Sequence, residues 1–123
     1  MATEIINSKR FFQLWSYSVS HSGLLFRSTK STEFPTRMDV FFKGVSAFHL
    51  PEASNGLLIT EASDPDIRKL CTLRQSPSFG KDVKVFTVQG PDFVGYVAAL
   101  IVLCHEDEGE YHEPSFFAPK DSL

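Results

Sequence analysis

Cysteine is scarce: Cys71 and Cys104 are the only two in 123 residues, too few for the disulfide framework that a small secreted domain relies on. Both lie in apolar stretches, where an unpaired thiol behaves as a small hydrophobe. Free, core-packed, slowly reacting thiols and a reducing, cytoplasmic location are therefore expected. Long hydrophobic runs are also missing. The longest, Tyr96 to Cys104, has nine residues, about half of the roughly 20 that a membrane-spanning helix requires. The opening MATEIINSKR has no apolar stretch of the kind a secretory signal carries. Positive charge is not in excess: the chain carries −3 overall, which gives no general reason to bind nucleic acid.

Catalytic signatures are absent too. There is no P-loop, dinucleotide fingerprint, nucleophile elbow or HExxH, and the two cysteines stand 33 residues apart rather than in a CxxC. This weighs against an enzyme without excluding one, because sites assembled from separate strands leave little local trace. No cofactor is expected.

What is present is the composition of a globular domain, 42% hydrophobic and 22% charged, of a length that fits one core. A single domain over residues 1–123 is expected, with 1–8 and 114–123 as mobile ends. Twelve Phe beside one Trp and three Tyr make aromatic packing the main source of buried area. Charge is uneven, +3 over residues 1–45 and −6 over the rest.

Period-two alternation dominates. FQLWSYSVS places Phe11, Trp15, Tyr17 and Val19 on one face; with His21-Ser22-Gly23 as the turn, residues 11–29 read as a hairpin. Arg37–Leu50 alternates with Met38, Val40 and Phe42 opposite Arg37, Asp39, Phe41 and Lys43, until Gly44 interrupts. Asn55-Gly56 reads as the turn of a second hairpin. Ser63-Asp64-Pro65-Asp66 reads as the start of a short helix to about Leu73. A strand follows at 83–88, and Phe93–His105 reads as a central strand. The expectation is a mainly β fold, with α+β as the alternative. Six to seven strands would form an antiparallel sandwich or open barrel with at most one short helix. Its core would include Trp15, Val40, Phe86, Val97 and Ile101, so that Ile101→Ala would cost about 2–5 kcal/mol. The C-terminal HEDEGEYHEPSFFAPKDSL is either a docked arm or a frayed tail.

Three chemical options attach to these elements. His105, Glu106 and His112, with His49 from another strand, have the residue types of a zinc or iron site, although alternation sends His105 and Glu106 to opposite faces. Ser22 or Cys104 with His21 or His105 has the types of a nucleophile and base. Exposed aromatics among Trp15, Tyr17, Phe41 and Phe42 have those of a binding face. Since Phe41 and Phe42 point oppositely, one must meet a second layer or a partner. Glu106, Asp107, Glu108 and Glu110 add a run of acid that is either a contact surface for a basic protein partner or is paired internally with Arg10, Arg27, Arg37 or the lysines nearby.

The succession WSYSVSHSGLLFRS, TRMDVFFKGVSAFHLP, NGLLI and VGYVAALIVL resembles small bacterial β-rich families of unknown function, including immunity-type proteins of polymorphic toxin systems. The resemblance spans roughly residues 13–104 as an order of patterns. It implies a non-catalytic cytoplasmic interaction protein, with Glu106, Asp107, Glu108, Glu110 and Phe41 as its partner-binding residues. The alternative is a small-molecule or metal-binding β-domain.

Overall fold

The computed structural model describes residues 4–75 and 79–117. Eight strands and one helix follow in the order β1 (Glu4–Ser18), β2 (Gly23–Ser28), β3 (Arg37–Lys43), β4 (Ala47–His49), β5 (Ala53–Glu61), α1 (Asp64–Arg74), β6 (Lys84–Gly90), β7 (Phe93–Ala99) and β8 (Ile101–Asp107). All strands lie in one antiparallel sheet of order β4-β7-β6-β5-β1-β2-β3-β8. The mainly β, antiparallel expectation with one helix holds, with eight strands in place of six or seven; of the two arrangements expected, sandwich or open barrel, the single unclosed sheet coiled about its core takes the second form. Residues 4–8 belong to β1, and residues 1–3 and 118–123 lie outside the described residues.

The sheet is strongly coiled. Strands β3 and β6 are four places apart in it, about 19 Å if the sheet were flat, yet the rings of Phe42 and Phe86 are 5.9 Å apart. Phe12, Leu24, Phe26, Val40, Phe42, Leu57, Ile59, Phe86, Val88 and Val97 fill the space enclosed. Two bent segments produce the curl. Gly44, at φ +71°, separates β3 from β4, and Leu100 separates β7 from β8 while its N–H donates to the Lys43 carbonyl (3.0 Å). A Cβ on Gly44 would lie 2.6 Å from the Leu100 side chain, so the two bends are packed together.

The bend at Leu100 corrects one expectation. Phe93–His105 is not one central strand: β7 is interior, whereas β8 is an edge. Val97 and Ala99 face the core, but across the bend the parity flips, so that Val102 packs inward and Ile101 is 44% exposed. A Cys104 in the core is also corrected: it lies on the edge strand and is exposed.

Two other departures have local causes. The β1/β2 register shifts between Leu14 and Ser16, making Trp15 the extra residue of a bulge. Phe12 and Leu14 pack inward, so simple alternation already turns Phe11 and Trp15 outward, 49% and 37% exposed and outside the core, and the bulge changes the phase only beyond Trp15, setting Tyr17 opposite the buried Leu24. Asn55-Gly56 is not a turn but sits inside β5, opposite the second irregularity of β1 between Ser8 and Phe11. Gly56 has φ +109°, and its missing Cβ leaves room for the Ser8 carbonyl. The helix forms as expected, with Ser63 capping the Asp66 N–H and Gln75 closing it in the left-handed conformation.

Candidate functional site

Strand β2 is buried on both faces along its whole length. Leu24 and Phe26 face the core; Leu25 and Arg27 face outward, and what covers them is the chain after β8. The adjacent apolar residues Leu24-Leu25-Phe26 were the signal, since consecutive apolar residues in a strand demand cover on both sides.

Two buried arginines on this outer face hold the C-terminal arm. Arg27, 2% exposed, makes a bidentate pair with Asp39 (2.8 and 3.1 Å), and its Nη1 donates to the carbonyls of Tyr111 (2.8 Å) and Glu113 (3.1 Å). The Trp15 ring lies over its guanidinium at 5.1 Å. Arg37 pairs with Asp107 in the same way (3.1 and 3.0 Å) and donates to the carbonyls of Glu110, Glu113 and Pro114. The turn into the arm needs Gly109, because a Cβ there would lie 2.6 Å from the Arg37 guanidinium carbon. Aromatic contacts finish the docking: Phe117 stacks on Phe41 (5.3 Å, 10°) and Phe116 on His105 (4.0 Å, 16°). The C-terminal segment is thus a docked arm as far as Phe117, and Phe41 meets a second layer of its own chain.

Between arm and sheet remains a half-open cleft of about 290 Å³. Trp15, Leu25, Phe41, Pro114 and Phe117 make it apolar, and Ser16, Ser18, His21 and His112 stand around them. Gly23 shapes the cleft by leaving room for the Phe41 ring, which a Cβ would meet at 2.6 Å. The left-handed residue of the preceding turn is Ser22, at φ +49°, rather than Gly23.

The acidic run is largely satisfied within the chain. Glu106 accepts from the Thr36 hydroxyl and lies 3.8 Å from Arg10; Asp107 pairs with Arg37; Glu110 pairs with Lys30 at 3.1 Å; Glu113 accepts from the Glu110 N–H; Glu108 is exposed. The residues weighed for a metal are not gathered. His105 and Glu106 face opposite ways on β8, His49 is on the other edge strand and His112 is on the arm. Among the described residues, no three His, Cys, Asp or Glu side chains cluster as metal ligands. Partial burial, then the carboxylates of Glu106 and Asp39, push the Cys104 thiol above its ordinary value, which keeps thiolate scarce.

Hydrogen bonds from Arg37 hold the Asp107 carboxyl below its ordinary 3.8; partial desolvation opposes this, while the Gly109 N–H and the charges of Arg37 and His105 add to it. A carboxylate whose native pKa is lowered contributes stability that is present above the unfolded value and lost as pH falls through the native one, here below about pH 4. Asp107→Asn should therefore flatten the fall in stability on acidification below that pH. Denaturation midpoints measured down the acid range check this; a curve parallel to that of the unaltered chain would contradict it.

No helix among the described residues is long and apolar enough to cross a membrane. Compared with protein-family models, with curated proteins and with solved structures, the chain matches none.

Proposed function

We propose that the chain is a non-catalytic interaction protein that anchors a large apolar side chain of a protein partner, of the Phe or Trp kind, in the cleft between β1–β2–β3 and the C-terminal arm. The observation carrying this reading is the cleft's size and lining. At about 290 Å³ and half open, it lies just below the roughly 300–1,000 Å³ range of sites that enclose a small molecule, and its apolar walls suit one aromatic ring. Trp15, Phe41 and Phe117, with a buried arginine beside them, are the residue types that dominate protein interfaces. The non-catalytic part is supported by the absence of a catalytic signature from the sequence and by Ser18 Oγ being hydrogen-bonded to Ser20 Oγ and Arg27 to Asp39 and the arm.

This reading moves the contact surface away from the acidic run, most of whose charge is met internally, and keeps Phe41 as a wall of the site. An immunity-type inhibitor is the narrower form of the proposal and rests on the order of sequence patterns alone. The test is occupancy of the cleft by N-acetylphenylalaninamide, a minimal mimic of an anchoring side chain, read through the fluorescence of the single tryptophan. Binding of this uncharged probe in an apolar cleft should persist at high salt.

A further inference from the structure

Strand β8 is an edge strand, and its first four residues, Ile101-Val102-Leu103-Cys104, are unprotected. Leu100, Ile101 and Leu103 are 49%, 44% and 37% exposed, and Cys104 is exposed beside them. Edge strands of monomeric proteins are usually short, charged or covered, because their free N–H and C=O groups are a template for another strand. The other edge, β4, is only three residues long; β8 is seven and apolar at its N-terminal end. We infer that β8 pairs antiparallel with β8 of a second copy of this chain, about a two-fold axis at Leu103, to give a symmetric dimer.

The register follows from charge and burial. With Leu103 opposite its own symmetry mate, Ile101 faces the mate's His105 and Val102 faces Cys104, so the exposed apolar residues cover one another. Glu106 then falls opposite the mate's Leu100, at the bend, and Asp107 opposite Ala99, the last residue of β7. An axis one residue further on, at Cys104, would instead set Glu106 and Asp107 against Val102 and Ile101, burying carboxylates on apolar side chains. An axis at Val102 would carry both acids inside β7, against the buried Ala98 and Val97, where the strand is already paired on both sides by β6 and β4. The inference is independent of the cleft, which lies on the outer face toward β1.

The experiment is sedimentation equilibrium of the unaltered chain, together with oxidative cross-linking of single-cysteine probes in β8. The account expects a concentration-dependent species of twice 13.8 kDa, shifted to monomer by Leu103→Lys with unchanged far-UV circular dichroism. Directly opposed Cα atoms in an antiparallel pair are about 4.5–5.5 Å apart, within disulfide range. In a Cys71→Ser/Cys104→Ser background, Leu103→Cys should therefore form a covalent dimer on mild oxidation while Ile101→Cys stays monomeric. A species of 13.8 kDa at every concentration, equal cross-linking at both positions, or a native Cys104 to Cys104 disulfide would each overturn the inference, the last by placing the axis elsewhere.

Discussion

Asp39→Ala is expected to lower the stability of the fold by about 3–5 kcal/mol, the usual cost of leaving one partner of a buried ion pair uncompensated. Asp39 is 1% exposed and Arg27 2%. Asp39 accepts from two guanidinium nitrogens, and the remaining hydrogen bonds of Arg27 are to neutral carbonyls of the arm. Those carbonyls cannot neutralise it. Without Asp39 the guanidinium can regain water only if the arm lifts, so the variant should also expose Phe41 and Phe117. Urea denaturation measures the loss, and binding of a hydrophobic dye reports the exposure. A loss under about 1 kcal/mol, the range of an exposed pair, would mean that the pair does not hold arm to sheet.

Phe42→Ala is expected to cost about 3–5 kcal/mol, as for a large aromatic deleted from a packed core. Phe42 has no exposed surface, pairs across the strands with Leu24 and Val102, and meets Phe86 from the far side of the coiled sheet. Deleting it opens a void where the curl closes on itself. Ile101→Ala, which a continuous alternation from Val97 would place in the same range, should cost far less because Ile101 is on the outer face of the edge strand. The ratio of the two losses tests the parity flip at Leu100: equal losses would restore a single unbroken strand through residues 93–105.

That flip shows where reading the sequence succeeds and where it stops. Alternation carries information within a strand, so Met38, Val40 and Phe42 against Arg37, Asp39 and Phe41 come out as found, and the helix from Asp64 is announced by its cap, proline and first-turn acids. Bends and bulges erase the phase. Tyr17 leaves the face of Phe11 and Trp15 because one extra residue enters β1, Ile101 changes face because the strand turns at Leu100, and Asn55-Gly56 imitates a turn because a bulge needs the same backbone freedom. The cleft was legible only in fragments. Phe41 opposite Phe42 indicated a second layer, and the adjacent Phe116-Phe117 offered an arm able to provide it. No local pattern, however, says that Arg27 and Arg37 reach the carbonyls of residues 110–114, more than 70 positions on. The acidic run was the most conspicuous feature of the sequence and is largely paired within the chain, by partners Arg10, Lys30 and Arg37 that come from distant strands and loops.

The most direct test of the central claim, that the cleft beneath the arm is a binding site for an aromatic side chain, is a fluorescence titration of the full chain with N-acetylphenylalaninamide. Trp15 is the only tryptophan and lines the cleft, so its emission reports occupancy without a label. A saturable blue shift is expected, with half-saturation on the order of 1 mM for a fragment of this size, unaltered at high salt. A response that rises linearly without saturating, matching that of free N-acetyltryptophanamide under the same conditions, would contradict it.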